Sequence, residues 1–136
     1  MKIHVNRIPE DGLDLDAAYD PAALKMDQPG VHVAGPVRLH GRATLEAKEL
    51  FVSAEVEYEL SLACARCLAA VASQATTSLV FHYDMTARLV VDITSDVRQE
   101  VMLEYPLTAL CRPDCRGLCA VCGANWNDGP CPHQAQ

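Results

Sequence analysis

The residues of this chain best able to do chemistry are its seven cysteines. Cys111, Cys115, Cys119, Cys122 and Cys131 crowd the tail together with His133, and Cys64-Ala-Arg-Cys67 stands apart upstream. A C-x-x-C at a hairpin tip aims two sulfurs and several backbone N–H groups at one point, the geometry of a zinc knuckle. Cys119-Ala-Val-Cys122-Gly123 forms a second such knuckle, and Gly123 can supply the positive φ its turn needs. Structural zinc takes four thiolate or imidazole ligands. The seven cysteines and His133 therefore fill two tetrahedral sites, provided that His133 joins. One or two zinc ions are expected, with two preferred. The preferred partition gives Cys64, Cys67, Cys111 and Cys115 to one site and Cys119, Cys122, Cys131 and His133 to the other. The alternative joins the two C-x-x-C knuckles and leaves Cys111, Cys115, Cys131 and His133 together.

Eight donors for two metals leave no open position for a reacting water, so the expected role of the metal is architectural. Neither H-E-x-x-H nor an H-x-E paired with P-C-x-x-C is present. An iron–sulfur cluster also takes four thiolates, but knuckles spread along a β-rich chain suit zinc better. Thioredoxin-type redox chemistry needs its C-x-x-C at a helix N-terminus in a βαβ unit, which Cys64 lacks. No catalytic residues are assigned. Arg66, Arg112 and Arg116 each sit inside a cysteine spacing. Their plain role is to offset thiolate charge; they could also meet nucleic-acid phosphate.

These donors need elements to position them. The chain has 136 residues, half of them hydrophobic, enough for one domain with a real core over 1–136. The formal charge of −7 argues against a simple polyanion-binding surface. The start, MKIHVNRIPEDGLDLD, reads as neither a secretory signal nor a transit peptide, and no apolar run reaches the length of a membrane helix. The expected location is the cytoplasm, without a membrane partner. There thiols stay reduced, and clustered cysteines favour metal over disulfides.

Residues 1–30 are acidic and Pro-punctuated, and read as an edge strand or two with a short helical turn near Ala17–Leu24. Residues 31–83 alternate with period two, most clearly Val56, Tyr58, Leu60 and Leu62 against Glu55, Glu57, Glu59 and Ser61. They predict an antiparallel meander of about four strands, with Gly35-Pro36 and Gly41 as turns or bulges. Asp92, Thr94 and Ser95 are candidate N-caps for a helix from about Thr94 to Glu104. Its apolar stripe is Ile93, Val97 and Val101 with Leu103 nearby, and Pro106 stops it. The fold class is thus α+β: sheet plus helix over 31–106, then a loop-rich tail over 107–136 that zinc must staple. Trp126 is a candidate cover for one cluster. His4, His32, His40 and His82 read as solvent-facing or packed.

One resemblance follows from these residues. Cys64-x-Arg66-Cys67-Leu68 after a strand resembles the C-x-R-C-L element of the YceD family, the large ribosomal RNA subunit accumulation proteins. Similar too are Gly35-Pro36-Val37, Asp92-Ile93, Tyr105-Pro106-Leu107, and Cys111. So are Cys115-Arg-Gly-Leu-Cys119-Ala-Val-Cys122-Gly123, Asn127 and Cys131. The match spans roughly 30–133. It departs at Cys131-Pro-His133, where many such sequences close with C-x-C; histidine can serve zinc equally. The resemblance implies a non-enzymatic cytoplasmic factor that supports large-subunit rRNA accumulation and ribosome assembly. Its partner would be the rRNA precursor or a large-subunit intermediate, met through Arg66, Arg112 and Arg116. Alternatively, the acidic stretch Asp11–Asp20 would make it a protein–protein adaptor for a basic ribosomal protein or a maturation factor. An RNA-processing enzyme would need a general base or open metal position that the motifs do not offer.

Overall fold

The computed structural model describes residues 1–133, so the end of the tail, 134–136, lies outside the described residues. Among the described residues the order is β1 (Lys2–His4), a 3-10 turn (Val5–Arg7), β2 (Leu13–Tyr19), α1 (Pro21–Leu24), β3 (Val31–Glu46), β4 (Glu49–Ala63), β5 (Ala70–Asp84), β6 (Val90–Asp92) and α2 (Thr94–Leu103). β1 and β6 form a two-stranded ribbon; β2, β3, β4 and β5 form a four-stranded antiparallel sheet in that order. This is the α+β class expected, mostly antiparallel sheet with two helices. No described helix is long and apolar enough to cross a membrane.

The alternation of β4 does what its period implies. Leu50, Val52, Ala54, Val56, Tyr58, Leu60 and Leu62 are buried, while Phe51, Ser53, Glu55, Glu57 and Glu59 are exposed. β3 adds Val33, Val37, Leu39 and Ala43 to the same face, β5 adds Leu79, and β2 adds Leu15. The lid over this face is Ile3 and Val91 of the ribbon, Met26, Tyr105, and Ile93, Val97 and Val101 of the α2 segment. Each of those fully buried aliphatics contributes roughly 1.5–3 kcal/mol. Tyr58 and Thr77 hydrogen-bond across the sheet at 2.9 Å, which satisfies two buried hydroxyls.

Several expectations are corrected. The stretch 31–83 holds three long strands rather than about four; the fourth strand of the sheet is β2, from the acidic segment. The β3–β4 turn is only Ala47-Lys48, both at positive φ (47° and 72°), flanked by the pair Glu46–Glu49. Such two-residue turns usually advertise themselves with Asn-Gly, and this one does not. The helical turn placed at Ala17–Leu24 shrinks to Pro21–Leu24, because Leu13–Tyr19 pairs along its length with Ala43–Val37. Asp20 caps it by accepting from Ala22 N at 3.0 Å. Gly35-Pro36 does mark a bulge, at the register shift between Ala34 and Arg38. Gly41 is mid-strand: a Cβ there would lie 2.4 Å from Ser53 O, so the strands cross too closely for a side chain.

α2 ends within a residue of expectation, but Leu103 is 70% exposed. Two residues beyond Val101 lie about 200° around the helix, on the opposite face from the stripe. Asp92 acts one residue before the helix's N-cap, Ile93, and accepts from Thr94 N at 3.0 Å. The Thr94 hydroxyl, first, and then that backbone bond hold its carboxyl below the usual range.

Candidate metal centres

The β4–β5 hairpin ends on the pair Ala63–Ala70, and the first C-x-x-C lies in the connection between them. Cys64 N donates to Ala69 O at 2.8 Å and Leu68 N to Cys64 O at 3.0 Å, with Leu68 at a φ of 62°. This tight turn aims both sulfurs inward. The tail reaches it after Pro106 ends the helical stretch: Ala65 N donates to Ala109 O at 2.7 Å, which sets Cys111 and Cys115 against the knuckle. Cys64 Sγ is then 3.8 Å from Cys115 Sγ, and Cys67 Sγ 3.5 Å from Cys111 Sγ.

The second C-x-x-C is a hairpin of its own. Leu118 and Asn125 pair, Cys119 N donates to Ala124 O at 2.8 Å, and Gly123 N donates to Cys119 O at 2.9 Å. Gly123 does take a positive φ, 72°. Cys131 and His133 fold back onto this turn.

Among the described residues two donor groups result: Cys64, Cys67, Cys111 and Cys115, and Cys119, Cys122, Cys131 and His133. Within each, all the ligand atoms lie within 4.8 Å of one another. This grouping is the first of the two partitions that the spacing allowed. Each group could hold a metal ion. The spacing fits zinc: a tetrahedron with zinc–sulfur bonds of about 2.3 Å has sulfur–sulfur edges of about 3.8 Å. All seven thiols are free, and the close pairs lie far beyond the ~2.05 Å of a disulfide.

The thiols are electrostatically unlike. Backbone N–H groups of Cys67, Arg66 and Cys111 pull Cys64 down to about 6, and those of Cys122 and Val121 pull Cys119 down to about 7. The Asn127 amide lowers Cys115, and the Trp126 indole lowers Cys131. Cys111 goes the other way, pushed up to about 12, first by its hydrogen bond with Cys67 and then by burial. Packed thiolates repel, and the first to ionise holds its neighbours protonated. A divalent cation among the four donors removes that conflict, which is the chemistry this donor set is suited to.

The three arginines do not all face outward to a partner. Arg66 Nη1 donates to Cys115 O at 2.9 Å, tying the knuckle to the tail. Arg112 Nη2 donates to Asn127 Oδ1 at 2.6 Å, and its Nε lies 3.6 Å from Asp114. Arg116 uses its backbone N–H on the same Asn127 oxygen, at 2.9 Å. Gly117 packs against Arg66, where an added Cβ would meet Arg66 O at 3.2 Å and the φ is 80°.

Asn127 is the functional residue that role assignment from sequence missed. Its Oδ1 takes Arg112 and Arg116, while its Nδ2 donates to Cys115 Sγ at 3.3 Å and to Asn125 Oδ1 at 2.9 Å. It thus spans from the second hairpin to a sulfur of the first group. The sequence singles out Asn127 through the YceD resemblance, but without a role. Trp126 donates its indole N–H to Cys131 Sγ at 3.2 Å. Three of the other four histidines serve elsewhere: His32 with Asp27, His40 with Asp16, and His82 with Glu49 while stacked on Phe51.

Residues 82–136 match a family described as large ribosomal RNA subunit accumulation protein YceD. A maize chloroplast protein named large ribosomal RNA subunit accumulation protein YCED homolog 1 is 49% identical over 37 residues, 27% of this chain and 13% of that protein. The likeness to the YceD family lies in this C-terminal part of the chain. The matched region carries α2 and one half of the first donor group, together with the whole of the second. An uncharacterised Mycobacterium leprae protein is 32% identical over 106 residues, 66% of this chain and 49% of that protein. The uncharacterised Bacillus subtilis protein YlbN is 24% identical over 136 residues, 90% of this chain and 79% of its own. The chain spans about half the length of the leprosy-bacillus relative and 60% of a Mycobacterium tuberculosis one. No solved structure gives a significant match.

Proposed function

We propose that this chain is a non-enzymatic, zinc-binding factor of the cytoplasm that supports accumulation of large-subunit rRNA and ribosome assembly by binding an assembly intermediate. The observation that carries this reading is a coincidence of place. The region matching the family described by large-subunit rRNA accumulation supplies six of the eight donors in the two groups, all but Cys64 and Cys67. Two zinc ions, held by Cys64, Cys67, Cys111 and Cys115 and by Cys119, Cys122, Cys131 and His133, make the tail a rigid surface. Four protein donors per ion leave no coordination position for substrate, which supports a binding role over catalysis.

The test has two parts. Native mass spectrometry reads the metal count, expected at two zinc ions per chain. Cells whose own copy is deleted are then complemented with wild type or with Cys64→Ser, and the large-subunit rRNA is measured against the small-subunit rRNA. Full restoration by a variant that has lost zinc would sink the zinc-dependent reading.

The surface that meets the intermediate is either RNA-facing or protein-facing. The charge of −7 and the internal use of the Arg66 and Arg112 guanidinium groups favour a basic ribosomal protein or maturation factor. The guanidinium of Arg116 makes no hydrogen bond or ion pair among the described residues, so of the three it suits phosphate best. Loss of rRNA crosslinking in Arg116→Glu would return the reading to rRNA.

A further inference from the structure

The two edges of the four-stranded sheet are built differently. β2 is short, seven residues, and is guarded by charge: Asp14 pairs with Arg42 at 2.8 Å and Asp16 with His40 at 2.9 Å. Beyond β2, the same side of β3 carries Pro36 and the bulge. β5 is the opposite edge and is fifteen residues long. It has no proline, lysine, arginine or glutamate, and its register with β4 runs from Glu49–Asp84 to Ala63–Ala70 without a shift. Natural edges this long and regular are normally blunted or covered.

Hydrogen bonds at both ends of the hairpin fix which amides face out. Cys64 N to Ala69 O and Met85 N to Lys48 O are both bonds of closely paired residues in one continuous register. Antiparallel pairs alternate between bonded and non-bonded, so the odd residues of β5 bond to β4. The even residues, Ala72 through His82, turn their N–H and C=O groups away from the sheet. Among the described residues these groups have no backbone partner. The same even residues carry their side chains on the exposed face.

On that face, one strand inward, lies a row of acid. Glu55, Glu57 and Glu59 of β4 stand opposite Ser78, Thr76 and Gln74 of β5. Glu55 and Glu57 form no ion pair among the described residues, and Glu59 accepts only from Gln74, at 3.3 Å. The acidic residues of the N-terminal segment, by contrast, are largely spent within the fold: Asp14, Asp16, Asp20 and Asp27 all have internal partners.

We propose that β5 is a docking edge that takes an extended, lysine- or arginine-rich segment of a partner protein as a fifth strand. The added strand bonds to the outward amides of Ala72 through His82. Its alternate side chains lie on the exposed face and reach over the small Thr76 and Ser78 to the glutamate row. The distance is two strand spacings, roughly 9.6 Å, which an extended Lys or Arg and a Glu leaning together can span. Backbone pairing supplies generic affinity, and the acidic row selects for basic segments. This deepens the protein-adaptor reading above and rests on it for the biological partner, but its physical test does not depend on ribosomes.

The experiment uses the zinc-loaded full chain and a short peptide alternating Thr and Lys, with a Thr–Glu peptide as control. Amide exchange of Gln74, Thr76, Ser78 and Val80, read by NMR, should slow by roughly tenfold or more with the Thr–Lys peptide only. Thr76→Pro removes one outward N–H and leaves the β4 ladder intact, so it should keep both zinc ions and lose the peptide. Should that variant misfold, the double variant Glu55→Gln, Glu57→Gln carries the same test, with binding weaker by roughly fivefold or more and a shallower salt dependence. Unchanged exchange, or equal binding of the acidic peptide, overturns the proposal. So does a β5-dependent dimer in sedimentation, which would assign the edge to a second copy of this chain.

Discussion

The two donor groups use the same turn in different settings. In the first group, Cys64, Cys67 and Cys115 are 0%, 6% and 3% exposed, and its members are drawn from chain segments as far as 51 residues apart. It is an outpost of the core: the tip of the longest hairpin closed by the tail. In the second, only Cys119 is buried, and all four donors fall between 119 and 133. It is a local loop that leans on the first group through Asn127 and through Trp126 N to Gly117 O, at 2.9 Å. The difference teaches that a metal's contribution follows what its ligands join. A link between distant segments removes more disorder from the unfolded chain than one within a short loop.

The largest effect should therefore come from the first group. Cys64→Ser is expected to lose one zinc ion, free the tail from Ala65 and Arg66, and lower the Tm by roughly 10 °C or more. Calorimetry with native mass spectrometry checks it. Cys122→Ser in the second group should also lose one zinc ion, yet lower the Tm by only about 2–5 °C. Its NMR shifts for β3, β4 and β5 should match wild type. Equal destabilisation by the two variants would break the comparison and make the tail one cooperative unit.

Much of the fold was legible because burial writes a period. β4 has one wet and one dry face, so its glutamates and aliphatics alternate, and α2 carries its stripe at intervals of four. β2 is an edge strand of the kind expected in the acidic segment; only its second half, Ala17-Ala18-Tyr19, reads as helix, because its residues are helix-tolerant and a real helix directly follows. The strand count over 31–83 comes out one too high because Gly35-Pro36 and Gly41 look like breaks, yet both lie inside the single strand β3. The knuckles were legible from spacing alone, and the grouping was not, since it depends on Ala109 meeting Ala65 across the fold. Asn127 was silent as a role because an asparagine's value lies in four hydrogen bonds that only the folded loop brings together.

That residue gives a finer test of how independent the second group is. Asn127→Ala removes the amide from Cys115 Sγ and the oxygen shared by Arg112 and Arg116. Two zinc ions should remain, but the first group should bind its ion about tenfold more weakly in competition with a chromophoric chelator. If the second group weakens instead, Asn127 serves its own hairpin, and the bridge between groups is only geometric.

The smallest effect belongs to Trp126. Its indole N–H reaches Cys131 Sγ, while its backbone N–H goes to Gly117 O, so one residue holds both a ligand and the hairpin's seat. Trp126→Phe keeps the ring and the backbone bond and deletes only the indole donor. A single neutral N–H bond to sulfur predicts a loss of roughly threefold in zinc affinity, confined to the second group. The Cys131 thiol should also become less acidic, since the indole is the main influence lowering it. A much larger loss would mean that the second group depends on its cover as strongly as the first depends on the sheet. The contrast between an outpost of the core and a local loop would then fail.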